Sequence, residues 1–314
     1  MKQTSLLARI RKYLTEPSVS QGIFEISSRY VCGIHLAPKE KKIRASIIRP
    51  LPEGAVAPSF DKKNIQDLPH LENVFKEVLG KLGLNDGPAA CLIPEPCVKI
   101  LILPDSNEHI PERDREKLIR WRVGKQMPLL PEDTRFSYQL LGSPQTPRIA
   151  VAAGRASVVG EYEGLLARFG LKPGRIGVPS LSLLNFLSGA EDEDYMVINI
   201  EDGFVSLLAV TDSSLSLYRQ KSLAGETGPS SAASPRMDGV VHEVENTIRF
   251  IEDREKRKIR SLWIRQGSLE KEEDLAGRLA RTGGLSARDV GSLVSGEAPA
   301  AEKTFLAPLM GEIP

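Results

Sequence analysis

The residues of this 314-residue chain best suited to chemistry are carboxylates and hydroxyls set in two turns. The first turn reads Glu25-Ile26-Ser27-Ser28-Arg29 and the second Asn199-Ile200-Glu201-Asp202-Gly203. Carboxylates at such turns can orient a metal ion or a water molecule. Other constellations offer less. Four histidines are present, none spaced with a cysteine or carboxylate as metal ligands, so no metal site is expected. Ser180 and His242 lack a third partner for a hydrolase triad. Glu108, Glu112, Asp114 and Glu116 interleave with Arg113, Arg115 and Lys117, which reads as a solvated, i,i+4-paired helix face. The patch Arg254 to Arg260 could bind phosphate, but a charged helix end is the simpler reading.

The elements that position the two turns repeat. Sliding Ile23–Leu36 onto the later stretch pairs Glu25 with Asn199, Ile26 with Ile200, Tyr30 with Phe204, Val31 with Val205 and Ile34 with Leu208. Around the second turn, Tyr195 to Gly225 reads as a three-stranded antiparallel meander. Strands are also expected at Gly22–Ile26, Tyr30–Leu36 and Ile43–Arg49. Leu71, Val74, Phe75, Val78, Leu79 and Leu82 mark an amphipathic helix ended by Gly83, and Ala89–Ile93 the next strand. The chain therefore holds two similar lobes.

Between them, Val98–Leu103, a helix from Pro111 to Met127, Arg135–Leu141, Arg148–Ala153 and a helix from Ala156 to Phe169 form a β-α-β-β-α insertion. Val178 to Leu187 is a helix returning to the first lobe. Gly225 to Asp238 reads as a loop, Val240 to Ile251 as a long helix, Ser261–Ile264 as a strand and Glu270–Thr282 as a helix. Ser286 to Lys303 reads as loosely ordered, and Phe305–Met310 as packing back on the first lobe. The divisions are 1–18, an amphipathic basic segment suited to a membrane surface or to packing on its own domain; 19–96, joined by 171–190 and 304–314, the first lobe; 97–170, the insertion; and 191–303, a reduced second lobe.

Composition is that of an ordinary globular chain, 41% hydrophobic and 26% charged with net charge +1, so nothing global points to nucleic acid. Three cysteines make no disulfide framework and fit buried free thiols in a reducing compartment. No apolar run approaches the roughly 18 residues that span a bilayer, and no signal peptide is read. A cytoplasmic protein is expected.

Three stretches carry a family resemblance. Trp121-Arg122-Val123-Gly124-Lys125-Gln126-Met127-Pro128-Leu129, followed by Phe136-Ser137-Tyr138-Gln139-Leu140-Leu141, is similar to a helix ending "A-x-Q-Y-I-P-F" before a "D-Y-Q-V-L" strand. Leu217-Tyr218-Arg219 through Gly225 is similar to "F-x-R-x-I-x-x-G-G", and Val241 to Phe250 to "E-I-x-R-S-L-x-F-F". These belong to the type IV pilus assembly protein PilM family. It has an actin-like ATPase fold with an inserted subdomain, called 1C, that it shares with the cell-division protein FtsA. The resemblance implies an α/β fold of duplicated RNase H-like βββαβα lobes with a 1C insertion.

It also implies a nucleotide site, and the sequence departs from its pattern. The first phosphate loop, "D-I-G-S-S-S-x-K" in the family, has Glu25, Ile26, Ser27, Ser28 and Arg29, with Cys32 in place of the lysine. The second, "D-I-G", reads Asn199-Ile200-Glu201, where Glu201 and Asp202 would aim two negative charges at a triphosphate. The adenosine loop, Arg265-Gln266-Gly267, keeps one glycine. The residues left to a vestigial nucleotide site are Glu25, Ser27, Ser28, Asp202, Gly203 and Gly267. No catalytic residue and no cofactor are expected, ATP and Mg²⁺ included.

The expected function is that of a pseudo-ATPase scaffold, cytoplasmic and peripheral to the inner membrane. It would bind the N-terminal tail of a PilN-like single-span protein, touch the membrane mainly through that partner, and bind no nucleic acid; self-association is left open. Trp121 is the expected anchor for the tail, with Arg120, Gln126, Phe136 and Tyr138 as neighbours. The alternatives are an active ATP-binding actin-like ATPase and a GspL-like type II secretion platform.

Overall fold

The computed structural model describes residues 20–313 except 38–41, 106–111, 143–146, 192, 224–233, 270–274 and 296–297. The N-terminal basic segment and most of the loop from Gly225 lie outside the described residues. From Ser234 onward that loop is already helical.

The first lobe begins with β1 (Gly22–Ile26), β2 (Tyr30–Ala37) and β3 (Lys42–Pro50), then α1 (Leu68–Leu82) and β4 (Gly87–Leu92). Asp67 caps α1 by accepting from His70 N, and Gly83 ends it at φ 66, a left-handed position that suits glycine. The six apolar positions expected to face inward on α1 are all buried. The insertion supplies β5 (Val98–Pro104), α2 (Glu112–Gln126), β6 (Thr134–Leu141), β7 (Arg148–Arg155) and α3 (Ala156–Arg168). Next come β8 (Leu171–Gly177) and α4 (Pro179–Phe186). The second lobe holds β9 (Tyr195–Glu201), β10 (Phe204–Thr211), β11 (Ser214–Ser222), α5 (Ser234–Glu255), β12 (Ser261–Gln266), α6 (Leu275–Gly283) and β13 (Ser286–Asp289). The chain closes with α7 (Ala300–Met310).

The two lobes share one topology. Their sheets run β3-β2-β1-β4-β8 and β11-β10-β9-β12-β13. In each, the first strand pairs antiparallel with the second and parallel with the fourth. The central strands β1, β9 and β10 are buried at every position, as strands covered on both faces must be. One core lies between the first sheet, α1 and α3; another lies between the second sheet, α5 and α6. The third, which includes Ile23, Tyr30, Val197, Trp263, Phe305 and Leu309, joins the lobes.

Three sequence expectations are corrected. Strand β8 was not among the expected elements; it carries Pro173 and Gly174, which a sheet edge tolerates. Helix α3, grouped with the insertion, puts Val158, Tyr162, Leu165 and Leu166 into the core of the first lobe. Much of Ser286–Lys303 is ordered: β13 extends the second sheet, a 3-10 turn follows at Val290–Leu293, and α7 begins at Ala300. That helix wedges between the lobes, its Phe305 ring edge-on to Tyr30 at 5.0 Å.

Candidate functional site

The two acidic turns do meet, across the interface between the lobes, and a guanidinium stands between them. Glu25 ends β1 next to Ile26, and Asn199 and Glu201 lie at the end of β9. Parallel pairing sets Arg265 of β12 beside Asn199, where the first lobe has Leu92 beside Glu25. Arg265 is wholly buried. Its Nη2 donates to both Glu25 oxygens, at 2.7 and 2.8 Å, and to Tyr30 Oη at 2.8 Å. Its Nη1 donates to Asn199 Oδ1 at 3.0 Å and Glu201 Oε1 at 3.2 Å, and its Nε to the Thr304 carbonyl at 3.2 Å. One side chain thus ties together β1, β2, β9 and α7. Tyr30 Oη in turn donates to Glu25 Oε1 at 2.7 Å, and Asn199 Nδ2 to Glu201 Oε1 at 3.0 Å.

Electrostatics follow from the burial. Desolvation pushes the Glu201 carboxyl up to about 8, opposed by Arg265 and reinforced by Glu25 and Glu95. Burial thus favours the protonated form of Glu201 over the ionised one. Burial alone would lower the Arg265 guanidinium, but Glu25, Tyr30 and Glu201 outweigh it and raise it. Gly267 makes room for this arrangement: a Cβ there would meet Arg265 Cζ at 3.1 Å and Glu201 Cγ at 3.2 Å.

The other residues of the expected nucleotide site divide. Ser27 Oγ accepts from the backbone N–H of Arg29 and of Tyr30, at 3.0 and 2.9 Å, and so is used within its own turn. Ser28 is half-buried in that turn. Cys32 is buried with its thiol toward the Phe305 carbonyl. The expectation that Glu201 and Asp202 face a common ligand is not met. Glu201 turns inward to Arg265, while Asp202 is exposed, 4.0 Å from Arg29 Nε. Asp202 and Gly203 line a smaller cavity of about 420 Å³ with Lys99 and Gln220.

A second buried link joins the lobes. Tyr218 Oη of β11 donates to Glu95 Oε2 at 2.7 Å, and Ser180 N at the start of α4 donates to Glu95 Oε1 at 2.7 Å. Burial raises the Glu95 carboxyl, against the hydrogen bonds from Ser180 and Tyr218.

The insertion has two unlike faces, because alternate residues of a strand point to opposite sides. Leu103, Ile149 and Val151 pack with Ile119 and Val123 of α2, with Phe136 and Tyr138 partly buried against them. On the other face, Ile100, Ser137, Gln139, Leu141, Ala150 and Ala152 line a groove of about 1040 Å³. Its far walls are Leu181 and Leu184 of α4 and the β10–β11 turn at Asp212–Leu215. Strand β6 is the edge of the three-stranded sheet β5-β7-β6. A second cavity of about 700 Å³ continues past β5 to the end of α5. There Arg148 Nη2 and Thr211 Oγ1 both donate to Glu255, at 3.1 and 3.0 Å, pinning the insertion to the second lobe.

Of the expected anchor set, Arg120 stacks over the Phe136 ring at 4.5 Å. Tyr138 reaches the lining of the groove and Gln126 that of the second cavity. Trp121 lines neither. It stands exposed on the outside of α2 with Lys125 Nζ 3.7 Å from its ring centroid.

No family model matches the chain, and no curated protein matches it in sequence. Solved structures do. One is the PilM-PilN type IV pilus biogenesis complex, with TM-score 0.78 and 15% identity over 95% of this chain and 97% of that one. Another is a Bacteroides thetaiotaomicron protein of unknown function described as having an actin-like ATPase fold, with TM-score 0.54 and 12% identity over 92% and 96%. The chain has the actin-like ATPase fold. The cytoplasmic domain of EpsL, an inner membrane component of the Vibrio cholerae type II secretion system, is also similar, with TM-score 0.50 and 9% identity over 91% and 93%.

In an actin-like ATPase fold the paired turns lie where the lobes face each other, and here that place holds Arg265. In the sequence Arg265 stands out only as part of a loop that keeps one glycine. The one available signal was a charged residue directly after the apolar run Ser261–Ile264. Among the described residues, no group of three or more histidine, cysteine or acidic residues is placed to hold a metal ion. Nor is any helix among them long and apolar enough to cross a membrane.

Proposed function

We propose that this protein is a PilM-like scaffold of a pilus or related secretion assembly, and that it works without turning over ATP. The observation that carries this reading is the Arg265 side chain between the two turns. A Mg²⁺–nucleotide needs free carboxylates for the metal and open backbone N–H groups for the phosphates. Here both Glu25 oxygens accept from Arg265, Ser27 caps its own turn, and the guanidinium fills the space. The residues present do not fit the nucleotide. In its stead, Arg265 supplies the positive charge that holds acidic groups of both lobes together.

A scaffold acts through surfaces, and the groove under the inserted sheet is the surface this reading uses. Its floor is small and apolar at Ile100, Ala150 and Ala152, and one wall is the open edge of β6. An extended peptide can add to such an edge while its alternate side chains enter the groove. The similarity to PilM in its complex with PilN supports a PilN-like tail as that peptide. A membrane-anchored partner would hold the protein at the inner membrane.

The test places a photo-crosslinking amino acid at Gln139, on the β6 wall of the groove, in the full chain expressed in its native cells. The expected adduct is the cytoplasmic tail of a single-span inner-membrane protein, lost when that tail is deleted. Adducts confined to cytosolic proteins would sink the scaffold reading. Calorimetry with millimolar Mg-ATP tests the other half, with no binding heat expected; clear binding would restore the ATPase reading.

A further inference from the structure

The outer face of α2 takes part neither in the fold's core nor in the groove. Ile119 and Val123 are its inward residues, and Arg122 turns aside to the Pro104 carbonyl at 2.8 Å. Lys117, Trp121 and Lys125 follow at four-residue steps and so form one stripe. Trp121 is 57% exposed and Leu129, in the turn after α2, is 95% exposed. Arg120 flanks the stripe above Phe136. Six cations stand against three carboxylates in the helix sequence. Two acids share this face: Asp114, one turn before Lys117, and Glu116, which pairs with Arg120 at 3.9 Å.

We propose that this face of the insertion lies against an anionic lipid surface, with Trp121 and Leu129 entering the headgroup layer and Lys117, Arg120 and Lys125 meeting lipid phosphates. An indole ring and a lone leucine among lysines suit the interface, where the ring's apolar body and polar N–H both find partners. The cations add attraction to acidic headgroups that weakens with salt. Charge favours an anionic partner, and shape favours a deformable one. Leu129 protrudes almost fully, so a rigid protein would need a matching hole, whereas a bilayer needs none. This contact is independent of the groove and of any tail bound there.

The chain provides its own reporter. It has two tryptophans, and Trp263 is buried at 1% exposure, so a change in emission on binding reports Trp121. The full chain is mixed with phosphatidylglycerol–phosphatidylethanolamine vesicles and, separately, with phosphatidylcholine vesicles. The expected result is a blue shift with the anionic vesicles alone, reversed by salt. Lys117→Gln with Lys125→Gln should weaken vesicle co-sedimentation by roughly thirtyfold, and Trp121→Phe should abolish the shift. All three positions are solvent-facing, so thermal melts of the variants should match the parent. Three results would overturn the proposal. The first is the absence of any shift with anionic vesicles. Co-sedimentation undiminished in a Trp121→Ala, Leu129→Ser variant would move the membrane contact elsewhere, residues 1–19 included. A shift with polyglutamate or inorganic phosphate but not with vesicles would assign the patch to an acidic protein or a free anion.

Discussion

The cleft between the lobes and the groove under the inserted sheet are both concave seams between subdomains, yet they are finished in opposite ways. The cleft is closed by its own side chains. Arg265 makes six hydrogen bonds to oxygen acceptors there, and its partners Glu25, Tyr30, Asn199 and Glu201 are all buried. The groove stays open at about 1040 Å³, and its strand alternates exposed and half-buried residues from Arg135 to Gln139 along an edge of the three-stranded sheet. A seam filled with paired charge is fixed, because parting the lobes would leave a guanidinium and a carboxylate desolvated and alone. An open seam lined by both polar and apolar side chains has no such pair to lose. The contrast is between a seam held shut by paired charge and one left open.

Substitutions can break or sharpen this contrast. The largest effect is expected from Arg265→Ala, which leaves Glu25 buried without its cation. Losing one member of a buried pair costs about 3–5 kcal/mol, so the melting temperature should fall on the order of 10 °C. A drop of a degree or less would mean that Arg265 does not hold the lobes together.

Next is the pH dependence. The Glu201 carboxyl is raised to about 8 in the folded chain against an ordinary 4.5. The folded state thus binds the proton more tightly than the unfolded state between these values, and stability should fall as pH rises across that window. The contribution is whole below pH 4.5 and lost by about pH 8. Denaturant titrations at several pH values should show Glu201→Gln flattening this decline, with any remaining slope removed by Glu95→Gln, whose carboxyl is also raised. A slope unchanged in both variants would refute the assignment.

Tyr218→Phe should cost about 1–2 kcal/mol, because it removes the donor to buried Glu95 without changing shape. At the groove, Gln139→Arg should move stability by no more than about 0.5 kcal/mol, since the residue is exposed and supports nothing. If the groove substitution destabilised as much as the cleft ones, the two seams would not differ in the way argued here.

Much of the architecture was legible without coordinates. The inward stripe Leu71–Leu82 is a periodicity that only a helix satisfies, and the strand-turn-strand stretches at Glu25 and Asn199 are alike enough to reveal the duplication. The insertion's helix and strands were legible for the same reason, through apolar spacing and the prolines at its boundaries. What stayed hidden was non-local. Strand β8 contains Pro173 and Gly174 and gains its hydrogen bonds from β4, on the far side of the insertion in the chain. Helix α3 follows the insertion's strands without a break, so nothing local says that its buried face belongs to another core.

The candidate site divides along the same line. Sequence alone determined that the two turns carry acids and an amide where a phosphate site would want aspartate and glycine, since residue identity fixes charge and backbone freedom. Only the tertiary structure decided what those groups do. Arg265 lies 240 residues from Glu25 and 64 from Glu201 in the chain, and its charge becomes the centre of the cleft only when parallel pairing of Ser261–Gln266 with Tyr195–Glu201 aims it there. The sequence likewise singled out Trp121 as the anchor for a bound tail but could not choose its side of the insertion. Packing of Ile119 and Val123 made that choice, turning Trp121 outward and leaving the groove to the opposite face. A local pattern sets what a side chain can do, and burial, which depends on residues far along the chain, sets which charges must pair and which are left to meet something else.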